Sequence, residues 1–483
     1  MSDVGSILTG ALALYALVTG VFLISENRAP QATLAWMLVF FFAPGIGVLI
    51  YILFGRDRKA FSKETKLLKQ ELEPDALPLL SPLLSRQDAE IARLESESAS
   101  RRRLLWLVRR NSSSALTKRN RVEILQDAVE FYPRMMEDMK AARHSIHHQY
   151  FIWGADAFTA ELKDILTAKA RQGVEVRLLY DPIGSFFHLS RAYIREMQSA
   201  GVQMAPTSPL YWLHTVSYRN HRKISVVDGA IGYTGGMNIG QEHLDGGKGF
   251  DSWRDTQLRI IGEGAATLQA VFMVDWYNAV RENLFSHEYY PTDGAGAIDD
   301  GVPVQILTSG PDSQWAAIRQ LYACMIASAQ RRVFLQSPFF IPDATISDAL
   351  RSAALAGVDV RLMLSARASG DQLPNWAGNT YIADMVAAGV RVFLYEKGYL
   401  HAKTISIDSE ICSVGSANID IRSFSINYEL NALLYSEQLA KELEEDFERD
   451  LAHCTDFELA AYEERNPAVR FRDSVARLLS PLL

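Results

Sequence analysis

Two stretches of the chain carry the same sparse set of polar residues at identical spacing. They contain His221, Lys223, Asp228, Gly235 and Asn238, and then His401, Lys403, Asp408, Gly415 and Asn418. Both follow H-x-K-x4-D-x6-G-x2-N, a pattern that arises by chance on the order of 10⁻⁷ per starting position. One imidazole, one ammonium and one amide, each supplied twice, suit a single phosphate group held between two imidazoles.

The elements around each motif repeat as well. Each copy has a short apolar run typical of a buried strand, then a helical segment, then a glycine before a second apolar strand. The corresponding residues are 143–153, 160–171 and Gly173 in the first copy, and 331–341, 344–356 and Gly357 in the second. Because strands and helices alternate, the sequence predicts two tandem α/β domains whose helices cover a sheet.

Within each motif, the alternation of residues predicts a strand that ends in a turn. His221 and Lys223 are then expected on the same face of one strand. The turns are expected at Asp228 and Asp408, so these carboxylates should hold turns rather than contact substrate. Gly236 and Ser416 are small enough to let backbone N–H groups approach an anion, and they are predicted to help bind substrate.

Composition limits the class of protein. The 483 residues are too many for one ordinary core, so two or more domains are expected. A formal net charge of -8 argues against nucleic acid as the partner, because such proteins usually present a basic face. Cys324, Cys412 and Cys454 are widely spaced and odd in number, which favours buried thiols over disulfides or a zinc site.

The N-terminus contains two apolar runs of membrane-spanning length, Val4–Ile24 and Thr33–Phe54. We expect the second to form a kinked helix at Pro44 rather than a broken one. A cleaved signal peptide is the alternative for the first run, but no basic residue precedes it. The basic residues after the second run, namely Arg56, Arg58, Lys59 and Lys63, favour a cytoplasmic location for the rest of the chain.

Residues 56–120 are predicted to form a helical linker that is interrupted by Pro74, Pro78 and Pro82. Within it, Arg101–Arg110 has basic ends around an apolar Leu/Trp centre. Two interpretations fit this pattern. One is a helix at an anionic lipid surface, and the other is a surface helix packed on the catalytic domains.

These motifs resemble those of the phospholipase D superfamily and, within it, the bacterial cardiolipin synthases. The segments that carry the resemblance are Arg219–Ile224, Gly235–Gly240, Trp253–Thr256, Gly398–Thr404 and Gly415–Phe424. The two-span N-terminus resembles that group too. One departure is Gln149, where such synthases often have glutamate, and it puts only local contacts in doubt.

The resemblance implies a ping-pong transfer through a phosphohistidine. By this analogy, His221 would attack the phosphodiester and His401 would act as the acid and base. Lys223 and Lys403 would supply positive charge to the phosphoryl oxygens, and Asn238 and Asn418 would donate hydrogen bonds to them. With this density of donors, no metal ion or other cofactor is expected.

Each catalytic imidazole needs a partner on its other ring nitrogen. Glu429 matches the carboxylate of the family in the second half. Asp255 is its expected counterpart in the first half, and Glu242 is the competing candidate. His147 and His148 have no carboxylate or cysteine at metal-ligand spacing, so we interpret them as strand-packing residues.

The resemblance implies the boundaries 1–55 for the two spans, 56–120 for the linker, and 121–300 and 301–483 for two phospholipase D-like domains. It implies a membrane-anchored transferase at the bacterial inner membrane that joins two phosphatidylglycerols into cardiolipin and glycerol. A phospholipase D hydrolase or another transphosphatidylase is the enzymatic alternative. A nuclease of the same superfamily and a lipid-binding module without activity fit the spans and the intact motifs less well.

Two aromatic clusters carry open interpretations. Phe186–His188 and Tyr211–Leu213 would either line an entry for acyl chains at the membrane surface or fold onto the core. The sequence does not specify the acceptor alcohol or the oligomeric state.

Overall fold

The computed structural model describes residues 2–26, 30–55, 59–112, 114–208, 217–247, 249–290, 298, 301–370 and 372–480. The chain begins with five helices. They are α1 (Ser2–Ser25), α2 (Pro30–Phe42), α3 (Ile46–Phe54), α4 (Lys59–Glu97) and α5 (Ala99–Asn111). The basic residues Arg56 and Arg58, on which the predicted orientation partly depends, lie outside the described residues.

The second apolar run forms two helices rather than one kinked helix. Helix α2 ends at Phe42, and α3 starts at Ile46. Pro44 has no N–H to continue the helix, and Gly45 adopts a left-handed φ of 84°. The prediction of an unbroken helix is therefore wrong. Among the described residues, no helix is both long and apolar enough to cross a membrane.

Helix α4 runs through its three prolines without a break, so the prediction that they interrupt it is wrong. Pro74, Pro78 and Pro82 are four residues apart and therefore lie on one face. The hydrogen bonds that they cannot make fall on that face alone, and the other faces keep theirs.

Helix α5 packs its apolar side on the second half of the protein. Leu104, Leu105 and Val108 are buried in one cluster with Leu321 of the second half. Trp106 faces outward. The buried apolar side favours the packed-helix interpretation of this segment over a helix that gives its apolar side to lipid.

The first half forms a seven-stranded sheet with the order β2-β9-β7-β6-β3-β4-β5. The strands in this part of the chain are β1 (Leu116–Thr117), β2 (Asn120–Gln126), β3 (Ser145–Tyr150), β4 (Glu175–Tyr180), β5 (Gln203–Pro206), β6 (Ile224–Val227), β7 (Ile231–Gly235), β8 (Trp253–Arg254) and β9 (Thr256–Gly262). Strands β1 and β8 lie outside this sheet. The helices are α6 (Asp127–Ala141), α7 (Ala157–Arg171), α8 (Arg191–Ser199), α9 (Glu242–Asp245) and α10 (Glu263–Val280).

The second half repeats this plan in a nine-stranded sheet with the order β1-β10-β19-β17-β16-β11-β13-β14-β20. Its strands are β10 (Val304–Ser309), β11 (Arg332–Ser337), β12 (Phe340–Ile341), β13 (Asp359–Ser365), β14 (Arg391–Tyr395), β15 (Tyr399–Leu400), β16 (Thr404–Ile407), β17 (Ile411–Gly415), β18 (Ile419–Asp420), β19 (Glu429–Leu434) and β20 (Cys454–Asp456). Its helices are α11 (Ala317–Ser328), α12 (Ala344–Leu355), α13 (Leu373–Ala387), α14 (Ile421–Ser425), α15 (Glu437–Leu451), α16 (Leu459–Glu463) and α17 (Pro467–Leu478). Strand β1, from the predicted linker, joins this sheet through β10.

The two sheets share a core. Ile224 and Leu258 of the first sheet are buried in one cluster with Val414 and Leu430 of the second. The opposite faces of the sheets are covered by helices, α6 and α7 on the first and α11 and α12 on the second. The expected α/β architecture with two tandem domains is confirmed, and the domains meet sheet against sheet.

The motif aspartates form turns and tie each motif to a neighbouring strand. Asp228 has a left-handed φ of 51°, and its carboxylate accepts hydrogen bonds from the N–H groups of Arg143, His144 and Ser145. Asp408 does the same, with a φ of 54°, for the N–H groups of residues 330–332 at the start of β11. Each carboxylate thus fixes the start of a central strand, as the turn prediction requires.

We predict that Asp228→Ala lowers the midpoint of thermal unfolding by several degrees. Loss of three hydrogen bonds to one charged group costs about 2 kcal/mol or more, and alanine disfavours the left-handed backbone. Asp228→Asn should lose less, because asparagine tolerates this φ and keeps an acceptor. The exposed Asp251 provides the control, and equal midpoints for Asp251→Ala and Asp228→Ala would contradict the structural role.

Candidate active site

Each motif histidine lies just before its strand, where its backbone pairs with the other half. The N–H of His221 donates to the carbonyl of Tyr428 at 2.9 Å, and the N–H of His401 donates to the carbonyl of Arg254 at 2.7 Å. The strand ladders begin only at Ile224 and Thr404. The prediction that His221 and Lys223 belong to the strand is therefore wrong, because these backbone segments pair across the domain boundary instead.

The residue directly after each of these carbonyl groups in the sequence is an acid that contacts the same histidine. Glu429 lies 3.0 Å from Nδ1 of His221, and Asp255 lies 2.6 Å from Nδ1 of His401. Each histidine is thus oriented by a carboxylate from the opposite domain. Because Nδ1 is occupied in both rings, Nε2 is the nitrogen that remains for chemistry.

The competing candidate, Glu242, occupies a different place. It begins helix α9, and its side chain makes no hydrogen bond to either imidazole among the contacts described for it. Burial raises its pKa. Asp255 is the acid that the structure places on a histidine.

The two motif lysines are buried beside the imidazoles. Nζ of Lys223 donates to the carbonyl of His221 at 2.7 Å, and Lys403 makes the same bond to His401. Burial lowers the pKa of Lys223 to about 7 and that of Lys403 to about 8. Repulsion from Lys403 contributes to the shift of Lys223. A bound anion would relieve this repulsion, so the pocket is built for negative charge.

The electrostatics of the imidazoles follow from the same burial. Burial lowers the pKa of His221, and it lowers that of His401 well below its ordinary value, with further lowering by both lysines. Although burial opposes it, His221 and Lys223 hold the pKa of Glu429 below its usual range. A neutral imidazole is therefore accessible at neutral pH in each half.

The motif asparagines are both buried. Oδ1 of Asn238 accepts from the N–H of Ile152 at 3.3 Å, which leaves its NH₂ group as a donor. Asn418 is buried, and its Oδ1 has no hydrogen-bond partner among the described residues.

The small residues Gly236 and Ser416 support the acids. A Cβ on Gly236 would collide with Asp255, and the hydroxyl of Ser416 donates to Glu429. Their backbone N–H groups donate to carbonyls of neighbouring strands, at Thr256 and Leu430, rather than into the pocket. The geometry thus gives these two positions a contact with the acids in place of the expected contact with substrate.

Aromatic rings narrow the access to the pocket. The ring centroid of Phe151 lies 5.0 Å from that of His221, and the centroids of Trp253 and His243 lie 5.5 and 6.0 Å from that of His401. His221 and His401 are only 8% and 9% exposed. The imidazoles therefore meet solvent through a limited opening.

Sequence reasoning missed a buried network behind the site. Arg222 forms an ion pair with Asp275, at 2.6 Å, and Gln149 donates to the same carboxylate at 2.6 Å. Asn220 joins them by donating to Asp275 at 3.2 Å. The network fixes the segment that carries His221, and Gln149, the departure from the family, belongs to it. Asp275 lies in helix α10, outside any motif, so no local signal marked it.

The remaining candidates divide between core and surface. His147 stacks on Phe272 with centroids 4.6 Å apart, in agreement with a strand-packing role. Phe186 and Phe187 are 60% and 92% exposed, so they do not fold onto the core. Tyr211–Leu213 lies outside the described residues.

Taken together, the geometry fits displacement at one phosphodiester. The imidazoles and ammonium groups of both halves lie near enough for their charges to interact, and together they favour an anion between them. One imidazole can attack while the other gives a proton to the leaving oxygen.

Comparison with known proteins agrees with the fold. The family model described as "Cardiolipin synthase, PLD-like domain" matches residues 135–262 and 322–451. A second, described as "Phospholipase_D-nuclease N-terminal", matches residues 11–56. The two segments that match the cardiolipin synthase model each contain one of the two motifs.

Curated relatives are similar over nearly the whole chain. A cardiolipin synthase of Geobacillus thermodenitrificans is 40% identical over 475 residues, covering 95% of this chain and 90% of its own. The major cardiolipin synthase ClsA of Bacillus subtilis is 37% identical, covering 95% of both chains. The crystal structure of a phosphatidylserine synthase of Haemophilus influenzae superimposes with a TM-score of 0.60 at 14% identity, covering 79% of this chain and 99% of that one.

The pairing of each histidine with an acid of the opposite half can be tested by nitrogen NMR of labelled histidine. We predict that the rings of His221 and His401 carry their proton on Nδ1, because that nitrogen faces a carboxylate. Glu429→Gln should change the tautomer of His221 and leave that of His401, and Asp255→Asn should change the tautomer of His401 and leave that of His221. Each variant is the control for the other, and the exposed His144 should not respond. A response of the histidine in the same half as the substituted acid would contradict the pairing.

Proposed function

The chain belongs to the family of cardiolipin synthases with phospholipase D-like domains, and from this premise we propose that it transfers a phosphatidyl group from one phosphatidylglycerol to another. The products are cardiolipin and glycerol. The observation that carries the proposal is the pair of imidazoles, each held by a carboxylate of the opposite half, around two buried lysines.

In the first step, Nε2 of one imidazole attacks the phosphorus of a phosphatidylglycerol. A phosphorus–nitrogen bond forms, and the bond between phosphorus and the glycerol oxygen breaks. The bound phosphate anion raises the pKa of the opposite imidazole, which is then protonated. This imidazolium gives its proton to the glycerol oxygen, so glycerol leaves as a neutral alcohol. By the family analogy, His221 is the attacking group and His401 the proton donor.

In the second step, a hydroxyl of another phosphatidylglycerol attacks the phosphohistidine. The imidazole that was left neutral takes the hydroxyl proton, the phosphorus–nitrogen bond breaks, and cardiolipin is released. Lys223 and Lys403 stabilise the charge on the phosphoryl oxygens in both steps, and the NH₂ group of Asn238 adds a neutral donor.

Transfer to an alcohol, rather than to water, is supported by the enclosure of the site. The two imidazoles are 8% and 9% exposed, and the rings of Phe151 and Trp253 lie beside them. A phosphohistidine in this position is shielded from solvent until an acceptor enters.

The site is proposed to work at the bacterial inner membrane, where its substrates reside. The two N-terminal apolar runs are proposed as its anchors, and the catalytic domains as cytoplasmic. The exposed Phe186 and Phe187 lie on a loop that Ser185 fixes to the backbone of Phe151, beside His221. Their position supports a path by which acyl chains reach the pocket.

The reaction is tested with purified protein and labelled phosphatidylglycerol. Cardiolipin and glycerol should form in equal amounts, and His221→Ala and His401→Ala should each lower the rate by about 10³-fold or more. His144→Ala is the matched control, because His144 is exposed and outside the site. Phosphatidic acid as the main product would show a hydrolase and overturn the synthase assignment.

The pKa shifts predict how the rate depends on pH. Lys223 must be charged to stabilise the phosphoryl oxygens, and His401 must be protonated to act as the acid. Burial lowers the pKa of both groups, that of Lys223 to about 7, so kcat/KM should already fall as pH rises above about 7 to 8. The attacking imidazole, His221, must be neutral, and burial lowers its pKa from the ordinary 6.5, so the acidic decline should begin only below about pH 6.5. An alkaline limit near pH 10, the ordinary range of lysine, would contradict a role for the buried lysines.

A further inference from the structure

The near-symmetry of the active site is broken at one pair of positions on each wall. Two residues before the motif histidines stand Arg219 and Tyr399, and four residues after the motif asparagines stand Glu242 and Arg422. Each motif histidine is held by an acid of the opposite half, so residues of the two halves lie side by side around it. On the His221 side of the site, or wall, Arg219 lies near Arg422. On the His401 wall, Tyr399 lies near Glu242. One wall therefore carries two guanidinium groups, and the equivalent wall carries a phenol and a carboxylate.

The contacts place the two arginines side by side. The N–H of Tyr428 donates to the carbonyl of Arg219 at 2.8 Å, and the N–H of Asn427 donates to that of Arg422 at 2.9 Å. The guanidinium of Arg422 donates to the carbonyl of Ser217 at 2.8 Å, two residues from Arg219. Arg219 pairs with Asp181 at 3.2 Å. Burial lowers the pKa of Arg422, Asp420 opposes this shift, and Arg219 is close enough to lower the pKa further.

Both arginines lie on the pocket side of the chain. The side chains of Asn220 and Arg222 point away from the pocket, toward Asp275. Arg219 instead pairs with Asp181, whose charge also reaches Lys223 beside His221, so Arg219 lies on the side of the catalytic groups. Arg422 approaches the pocket from the second half, near enough to Glu429 for the two charges to interact.

On the opposite wall, the same positions are not cationic. Tyr399 is buried with its ring centroid 5.8 Å from that of His401. Burial raises the pKa of Tyr399, and Asp255 and Glu242 are near enough to raise it further. A carboxylate would repel an anion there, whereas a phenol and a carboxyl group can hydrogen-bond to a neutral polyol.

The proposed reaction brings two anions into one pocket, and only one of them reacts. The motif lysines and asparagines serve the reacting phosphate. The acceptor carries its own phosphodiester, one glycerol unit away, and the repulsion between the two must be offset. We propose that Arg219 and Arg422 form a second anion site, which binds the non-reacting phosphate of the acceptor.

This inference rests on the proposed transfer reaction and deepens it. It assigns the choice of acceptor to the guanidinium pair: an anionic acceptor is bound there, whereas a neutral alcohol gains nothing from it. Arginine suits this role because its planar donors pair with two phosphate oxygens at once.

The test compares acceptors for one phosphatidyl donor. Purified protein is given phosphatidylglycerol, and the rate of cardiolipin formation is compared with incorporation of labelled free glycerol into phosphatidylglycerol. Arg422→Gln and Arg219→Gln should each lower the ratio of the first rate to the second by about tenfold or more, because a charged hydrogen bond is lost only with the anionic acceptor. Arg422→Lys should restore part of the ratio.

Glycerol 3-phosphate as a third acceptor separates a lipid phosphodiester from a free phosphate. A loss for glycerol 3-phosphate as well would show that the pair recognises phosphate alone, and a loss confined to phosphatidylglycerol would show that it requires the lipid. Arg195→Gln, an equal change of charge on the exposed face of α8, is the control and should leave every ratio unchanged.

If both glutamine variants lose the same fraction of the rate with every acceptor, or lose none, the ratio of cardiolipin formation to glycerol incorporation is unchanged. That result would overturn the second anion site. Failure of the proposed function looks different, because the unmodified protein would then form neither cardiolipin nor labelled phosphatidylglycerol.

Discussion

The structure of this active site depends on one constraint: each imidazole is oriented by a carboxylate from the other half of the chain. Glu429 and Asp255 reach across the domain boundary to His221 and His401, and the residue before each acid accepts the backbone N–H of the same histidine. Neither half can therefore hold its own histidine. The shared core between the sheets, which contains Ile224 and Leu430, keeps the halves in the register that this exchange requires.

The same arrangement explains how a duplicated unit can perform an asymmetric reaction. Transfer through a phosphohistidine needs one imidazole that attacks and one that moves a proton, and a pair of similar sites facing each other supplies both. The duplication preserves the motifs, but the walls differ, with Arg219 and Arg422 on one side and Tyr399 and Glu242 on the other. The reacting groups are thus the same in both halves, whereas the residues around them differ, which allows the two halves to recognise different partners of the phosphate.

Local patterns predicted much of this fold. The motif spacing, the Asp228 and Asp408 turns, and the glycine junctions at Gly173 and Gly357, where φ is 89° and 91°, all lie within short segments. The failures have physical reasons. The break at Pro44 and the intact helix α4 depend on how backbone hydrogen bonds are satisfied locally, which composition does not specify. The exchange of Asp255 and Glu429 and the network at Asp275 join residues far apart in sequence, and no periodicity records such contacts.

The central claim is that two motifs make one site, and the number of covalently modified histidines per chain tests it most directly. Protein is mixed with phosphatidylglycerol labelled in its phosphatidyl group, quenched rapidly in denaturing detergent at alkaline pH, and the label bound to the chain is counted. One site predicts that the label approaches but never exceeds one per chain, and that it resides on a single histidine, His221 or His401. Label that approaches two per chain, divided between both histidines, would contradict the account.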